Sequence, residues 1–387
     1  MNSTTDSRYI PAAKKRTTAV FAVVILLVSL LVFGAFDSFV AGKPQKVELV
    51  SVGDNLLHLE LIDSAKKADG SYDFTPCYAP VKALIEQADI AIINQETILG
   101  GAAFPYSGFP RFNSPQEAGD ALVETGFDVV LQATNHSLDK GYKAIQNTMN
   151  FWKEKHPEIV TLGLNESKKQ QETITVVKKN GIRIAMLNYT SITNGIPLPE
   201  DKPYAVNWMK KREKTLKRHI KKAKKISDVV IVFPHWGAEY THEPNAYQTK
   251  LTSFFADQGV DIVIGTHPHV IEPVEWIERK DGGKMLVYYS LGNFISHQRK
   301  APRMLGGLAK ITIEKIDNEI RITNAGLVPL VTHYEFMNEI AGNFRVYPLE
   351  KYPGELADKH GVLETDPTFS LAYLNETAAE VAGDFLQ

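Results

Sequence analysis

The segment VDIVIGTHPHV, residues 260–270, joins a short apolar run to two histidines and decides where the chemistry of this fold is expected. Residues 260–264 are typical of a buried β-strand, and the polar residues begin where that strand ends. Because alternate side chains of a strand point to one face, His267 and His269 are predicted to direct two imidazoles toward one point. The alternative interpretation is a polar turn without a ligand role. The rest of the sequence decides between them.

Short apolar runs alternate with helical patterns along most of the chain, and this alternation predicts an α/β layered fold. The strand candidates are residues 47–52, 90–93, 129–131, 182–187, 229–233, 262–264 and 286–289. The helix candidates are residues 77–88, 115–125, 139–155, 208–226 and 245–258. Residues 308–316 and 319–327 predict a β-hairpin. Residues 331–387 have weaker periodicity and are interpreted as a C-terminal extension.

The composition is that of an ordinary globular protein, with 387 residues, 44% hydrophobic residues, 23% charged residues and a formal net charge of −2. This length predicts one large or two modest domains. The near-neutral charge gives no indication of nucleic acid as a partner. Cys77 is the single cysteine, which excludes a disulfide within one chain.

The N-terminal segment departs from this globular pattern. A basic leader, residues 1–18, precedes an uncharged apolar run over residues 19–36, which is just long enough to span a membrane. We interpret residues 19–36 as a transmembrane signal anchor and residues 37–45 as a linker. Because basic flanks stay in the cytoplasm, the N-terminus is predicted to be cytoplasmic and the main domain extracellular, at the cell membrane. A cleaved signal peptide is the alternative, although Phe39 stands where a small residue is wanted.

Metal-ligating residue types follow five of the predicted strands. They are Asp54 and His58, then Glu96, then Asn135 and His136, then His235, and finally His267 and His269. Because the carboxyl ends of strands form the edge where α/β proteins bind ligands, we expect these side chains to gather at one site. A single strand-end histidine is more often a hydrogen-bonded turn residue than a ligand, but five such endings indicate a shared metal centre. Mixed imidazole and oxygen donors suit Zn, Mn or Fe better than Ca, and the set is larger than one ion needs.

Six motifs, in the order in which they occur, resemble the capsule-synthesis proteins called CapA or PgsA. They are SVGDNLLH (51–58), INQE (93–96), TNHSLDKG (134–141), PHWGAEY (234–240), GTHPHVIEPVE (265–275) and YYSLGNF (288–294). That family is associated with bacterial poly-γ-glutamate synthesis and belongs to the calcineurin-like metallophosphatase superfamily. The resemblance covers roughly residues 46–330, which we interpret as one metallophosphatase-like domain. It implies a four-layer α/β/β/α sandwich whose strand-end loops hold two divalent metal ions.

The resemblance also implies a role for each matching residue. The implied metal ligands are Asp54, His58, Glu96, Asn135, His235, His267 and His269. Three residues separate Asp54 from His58, where the superfamily usually has one, and Glu96 stands where a metal-bridging aspartate is usual. His136 resembles a catalytic histidine, and Asn293 matches a motif that supports a loop or contacts substrate. The implied chemistry is two-metal hydrolysis.

Two further stretches suggest contacts with anions. Arg111, in the loop FPYSGFPRFNSP (104–115), is a candidate for binding an anionic substrate, although a surface loop with one arginine is common. Residues 209–227 contain ten Lys or Arg residues around an apolar stripe formed by Leu216, Ile220, Ala223 and Ile226. This pattern predicts a helix that docks on the sheet and leaves a basic face free. That face is either only solvated or a surface for an anionic polymer or anionic lipid.

Three functional hypotheses remain open at this point. The leading one is a membrane-anchored, outward-facing metallophosphatase-fold protein in capsule or poly-γ-glutamate biosynthesis or export, beside membrane polyglutamate synthase subunits. The second is a cell-envelope phosphoesterase or other metal-dependent hydrolase unrelated to capsule. The third is a non-catalytic assembly factor of a membrane synthase complex. The residues alone leave open whether the metal centre is catalytic.

Overall fold

A computed structural model describes residues 45–317 and 319–387, together with the backbone of residues 5–9. The strands are β1 (Thr5–Tyr9), β2 (Gln45–Asn55), β3 (Ile90–Gln95), β4 (Val129–Leu131), β5 (Val160–Leu162), β6 (Ile174–Lys179), β7 (Ile182–Thr190), β8 (Val229–His235), β9 (Ile262–Ile264), β10 (Ile271–Glu278), β11 (Lys284–Leu291), β12 (Asn293–Ile295), β13 (Leu305–Ile316), β14 (Glu319–Met337) and β15 (Ile340–Pro348). The helices are α1 (Leu59–Ser64), α2 (Thr75–Tyr78), α3 (Lys82–Glu86), α4 (Glu117–Thr125), α5 (Gly141–Lys155), α6 (Lys168–Gln171), α7 (Glu213–Ile226), α8 (Ala246–Asp257), α9 (Gly354–Ala357) and α10 (Leu371–Ala382).

These strands form two sheets. The β2 sheet has the order β15-β14-β13-β2-β3-β4-β5, with β12 paired to β2, and the β8 sheet has the order β1-β6-β7-β8-β9-β11-β10. The β2, β3, β4 and β5 strands are parallel to one another, as are β7, β8, β9 and β11. The carboxyl ends of both parallel sets therefore carry the loops in which the metal-ligating residue types occur.

The alternation of side chains along β7 and β8 explains why both strands are apolar throughout. Ile184 and Ile231 belong to the core shared with the β2 sheet, whereas their neighbours Ala185 and Val230 belong to a separate core under α7 and α8. A strand covered on both faces has no polar side, so its sequence is a continuous apolar run. On the far side of the β2 sheet, α1 and α2 pack against β15. The predicted α/β fold of packed layers is confirmed.

The secondary-structure predictions hold where the pattern is strong. The predicted hairpin is the antiparallel pair β13–β14, and the basic pattern at 208–226 contains α7. Leu216, Ile220 and Ala223 of α7 are buried, as the apolar stripe predicts. The helix predicted over 77–88 is instead divided into α2, a 3₁₀ turn and α3, because Pro80 has no backbone N–H to continue a helical ladder.

The C-terminal residues differ from the expectation of an appended extension. Residue 330, the predicted boundary, lies inside β14, and β15 completes the edge of the β2 sheet. Tyr334 and Phe344 are fully buried in the main core, and α10 packs against β10. The continuously buried part of β14 lacks the polar alternation that identifies a strand in sequence, and this explains the weak periodicity.

The predicted anchor, residues 19–36, and its linker up to residue 44 lie outside the described residues. Among the helices that the structure describes, none has the length and apolar character needed to cross a membrane. The β1 strand, which belongs to the predicted leader, pairs in parallel with β6 at the edge of the β8 sheet.

Candidate metal centre

The carboxyl ends of the two sheets bring all the predicted metal ligands together except His58. Asp54 lies near the end of β2, Glu96 follows β3, and His235 ends β8. The loops after β4 and β9 supply the others. The gathered side chains are Asp54, Glu96, Asn135, His235, His267 and His269, and each is at most 3% exposed. Burying so many polar groups is costly unless they share strong partners.

One half of this centre consists of Asp54, His269 and Glu96. His269 Nδ1 lies 3.0 Å from Asp54 Oδ2, and His269 Nε2 lies 3.7 Å from Glu96 Oε1. The other oxygen of Asp54 accepts a hydrogen bond from the Asn94 side chain at 2.8 Å. Asn293 Oδ1 lies 3.1 Å from His269 Nδ1. Asn94 and Asn293 therefore orient the carboxylate and the imidazole, as outer-shell residues do in metal sites.

The other half consists of His235, His267 and Asn135, again with Glu96. His235 Nε2 lies 2.9 Å from Asn135 Oδ1 and 3.6 Å from Glu96 Oε1. Its Nδ1 contacts the Thr266 hydroxyl at 3.0 Å, so the ring is held at both nitrogens. The His267 ring centre lies 4.8 Å from that of His235. Suitable donor atoms of Glu96, His235 and His267 lie within 4.8 Å of one another, as do those of Asp54, Glu96 and His269.

Glu96 is the side chain that most clearly requires a further partner. Both of its carboxylate oxygens are buried and accept no hydrogen bond, and His267 Nδ1 is likewise buried without a partner. Burial, with the nearby Asp54 carboxylate, raises the pKa of Glu96 well above its ordinary value. Two donors about 2.1 Å from one ion are about 3.0–3.4 Å apart, close to the 2.9–3.7 Å spacings seen here. The residues therefore fit a divalent metal.

Burial favours the neutral form of the His235 and His267 imidazoles. It lowers the pKa of His267 to about 3 and the pKa of His235 well below its ordinary value, and the neighbouring histidines act in the same direction. A neutral imidazole has a free lone pair, which is the state that binds metals. The site thus combines neutral nitrogen donors with carboxylate oxygens.

The imidazoles of His267 and His269 lie at one site, as predicted. The alternation of side chains along a strand is not the reason, because neither residue belongs to a strand. The strand ends at Ile264, and His267 and His269 have φ angles of +100° and +61°. The left-handed region is costly for residues with a Cβ atom and is concentrated at functional sites. Gly265 permits the close approach of this loop to β11, because a Cβ there would meet Tyr289 O at 1.9 Å.

His58 differs from the expected ligand role. Its Nδ1 accepts a hydrogen bond from the His297 backbone N–H at 3.2 Å, and its ring lies 5.3 Å from that of Phe112. It does not join the groups of donor atoms formed by the described residues around Glu96. The three residues between Asp54 and His58 carry the chain into the start of α1, which places the imidazole beside the centre rather than in it.

His136 lies next to the candidate ligands and is held by Asp139. The Asp139 Oδ2 atom lies 2.7 Å from His136 Nδ1 and also accepts the Phe112 backbone N–H at 2.7 Å. Because a carboxylate only accepts, the ring carries its proton on Nδ1. His136, Asn135 and Arg111 line a cavity of about 280 Å³. The structure thus places Arg111 at the same cavity as the predicted catalytic histidine.

Comparison with known proteins places this centre in a family. Residues 48–298 match the family described as bacterial capsule synthesis protein PGA_cap. The chain belongs to the PGA_cap family. This chain is 33% identical over 186 residues to the "PGA biosynthesis protein CapA" of Bacillus subtilis (strain 168), covering 47% of this chain and 46% of that protein. It is 32% identical over 193 residues to the "Capsule biosynthesis protein CapA" of Bacillus anthracis, covering 49% and 44%.

The chain thus spans about half the length of these curated PGA_cap relatives. Among solved structures, a putative 5'-nucleotidase from Staphylococcus aureus gives a TM-score of 0.45 at 14% identity, over 73% of this chain and 54% of that chain. The calcineurin-like phosphoesterase YfkN from Bacillus subtilis gives a TM-score of 0.42 at 12% identity, over 74% and 91%.

Several residues of this PGA_cap site were not singled out from the sequence. Asp139 is one, although its position three residues after His136 in TNHSLD is a readable signal. Glu239 is another, because a carboxylate oxygen of this exposed residue lies within 4.8 Å of donor atoms of His267 and His269. Asn293, predicted to support a loop or contact substrate, is buried, and its amide donates to the His269, Gln298 and Arg303 oxygens. Its contacts are those of loop support.

Proposed function

We propose that this chain is a metal-dependent hydrolase that acts on a capsule polymer, or on a precursor of it, during capsule biosynthesis or export. Family membership and the printed names of the CapA relatives support the capsule role. The observation that carries the hydrolase role is the buried, unpartnered Glu96 carboxylate among His235, His269 and Asp54. A structural centre would not need the adjoining cavity that His136 lines.

Two divalent ions would fit, because two donor groups share Glu96. Asp54 and His269 would hold one ion, His235, His267 and Asn135 would hold the other, and Glu96 would contact both. The donor set suits Mn, Fe or Zn. Such ions supply a water that deprotonates near neutral pH and positive charge that stabilises a negative transition state.

His136 is the residue that we assign to proton transfer. Asp139 holds Nδ1–H, so Nε2 is the nitrogen that gains and loses a proton. The Asp139 carboxylate stabilises the protonated ring, which then donates from Nε2 to a leaving oxygen or nitrogen in the cavity. Arg111, at the same cavity, attracts an anionic group of the substrate.

We also propose a membrane anchor over residues 19–36, an extracellular domain and contact with polyglutamate synthase subunits in the membrane. The sequence supports the anchor, and the pairing of β1 with β6 opposes a leader on the far side of the membrane. Protease added to intact protoplasts decides between them. An anchored extracellular domain is digested, whereas protection of the domain contradicts the proposed topology.

The functional test is complementation of a strain that lacks the gene. Wild-type protein is expected to restore surface polymer, and His136→Ala is expected to fail although it retains its metal. Hydrolysis of bis(p-nitrophenyl) phosphate by the purified proteins provides a second readout. Full restoration by His136→Ala would show a non-catalytic assembly role. Normal polymer in the deletion strain would show that the chain serves another envelope reaction.

A further inference from the structure

Arg303 presents a cation beside the metal centre without an acidic partner. It lies in a 3₁₀ turn, Ala301–Met304, and its guanidinium carbon lies 3.5 Å from the ring centre of Tyr240. No aspartate or glutamate of the described residues forms an ion pair with it. Arg299, four residues earlier, contrasts with it, because Arg299 pairs with Glu364 at 3.5 Å. A partly buried guanidinium that forms no ion pair is suited to an incoming anion.

The Tyr240 ring contacts both the Arg303 guanidinium and the His269 imidazole of the metal centre. The ring lies 5.9 Å from that of His269 with an interplanar angle of 29°, and the Tyr240 backbone N–H donates to Pro268 O at 2.8 Å. Tyr240 has a φ angle of +69°, and the residue is 43% exposed. A strained backbone that holds a large aromatic ring at the surface indicates a role for that ring outside the core.

A second connection comes through the backbone. The Asn293 amide donates to Arg303 O at 3.0 Å, and Asn293 Oδ1 lies 3.1 Å from His269 Nδ1. The segment that carries Arg303 is therefore fixed to the Asp54–His269 half of the centre. Arg111 lies at the cavity of the other half, with Asn135 and His136. Arg111 therefore lines the cavity with His136, whereas Arg303 is tied to His269 through Asn293 and Tyr240.

We propose that Arg303, held on Tyr240 beside His269, binds an anionic group of the substrate at a contact separate from the one assigned to Arg111. A substrate that carries more than one anionic group would use both contacts. This assignment rests on the proposed function and adds to it a residue that binds an anionic group of the substrate. The planar guanidinium would bind a carboxylate or phosphate through two hydrogen bonds.

Calorimetric titration of the full-length protein with γ-linked tetraglutamate tests this assignment. The matched probe is the tetramer of the same length with its side carboxylates converted to amides. Arg303→Gln is expected to weaken binding of the acidic tetramer by about tenfold or more, the loss of one charge-assisted interaction, and to leave binding of the amide tetramer unchanged. Arg303→Lys, which keeps a cation over Tyr240, is expected to recover most of the affinity.

Arg299→Gln is the matched control, because it removes the same charge from the same segment at a residue already neutralised by Glu364. Equal losses in Arg299→Gln and Arg303→Gln would overturn the assignment, since they would reflect only the overall charge. Lack of binding by the wild-type protein, with its metal content intact, would also overturn it. In that case the hydrolase proposal is still decided separately by complementation with His136→Ala.

Discussion

Glu96→Gln tests the role of the buried carboxylate with almost no change of shape. Glutamine fits the same space but is a weak metal ligand. A ligand that binds only the folded state at one hundred times its Kd stabilises that state by about 2.7 kcal/mol. A domain of about 340 residues has an unfolding entropy of about 0.7 kcal/mol/K, so each bound ion is expected to raise Tm by about 4 °C.

Wild-type protein stripped of metal is therefore expected to gain about 8 °C, about 4 °C for each of two ions, when Mn²⁺ is added at that excess, measured by differential scanning calorimetry. Glu96→Gln is expected to gain less than about 1 °C under the same conditions. The control is Glu272→Gln, because Glu272 is also buried but contacts Gln248 and is not part of the centre. That variant is expected to keep the wild-type shift. An equal shift in Glu96→Gln would refute the assignment of Glu96 as a ligand.

The metal-free proteins provide an independent check through pH. Because the pKa of Glu96 is raised in the folded state, the unfolded state releases its proton first as pH rises. The stabilisation is complete below the unfolded pKa of about 4.5 and is lost as pH rises toward the folded pKa. Glu96→Gln has no such proton. At pH 8, metal-free Glu96→Gln is expected to unfold at the same temperature as metal-free wild type or higher.

Three other predictions follow from particular contacts. Asp139→Asn is expected to lower kcat for bis(p-nitrophenyl) phosphate by about a hundredfold without loss of metal. The reason is that an amide can donate to His136 Nδ1, which fixes the tautomer with its proton on Nε2. An unchanged kcat would remove Asp139 from the mechanism. Burial lowers the pKa of His360 to about 3, so stability should fall as pH drops below the unfolded value of about 6.5, with about 2 kcal/mol lost at pH 5 in urea titrations. His360→Gln should lack that part of the decrease, and an unchanged slope would contradict the buried neutral ring. The basic face of α7 is expected to bind polyglutamate at low salt. Replacement of its exposed lysines by glutamate should abolish this binding but leave the metal content intact. If neither polyglutamate nor anionic vesicles bind the wild-type protein, the face is only solvated. The lysines to reverse are Lys214, Lys217, Lys221 and Lys225.

The sequence predicts the parts of this fold that depend on local patterns. Strand-end positions identify Asp54, Glu96 and His235, because parallel strands must place their carboxyl ends together. The apolar stripe of α7 predicts its buried face for the same local reason. The division of the helix near Pro80 also has a local cause. A proline within a predicted helix indicates that the helix ends or bends there, so this division can be predicted from the sequence.

Other features depend on contacts between distant segments. His58 follows the first motif closely, but the start of α1 turns it toward His297, which is 239 residues away. The left-handed conformation of His267 and His269 cannot be read from an apolar run followed by histidines. Arg303 and Tyr240 meet only because the loops after β8 and β12 converge. Long-range packing therefore decides which candidate residues share the site.

The central claim is that Glu96 joins two ions in one centre. Crystals grown with Mn²⁺ and measured at wavelengths on both sides of the manganese absorption edge test it directly. The expected result is two anomalous peaks about 3.5–4 Å apart, with Glu96 between them, Asp54 and His269 at one peak and His235 and His267 at the other. A single peak, or no peak within reach of Glu96, would contradict this claim.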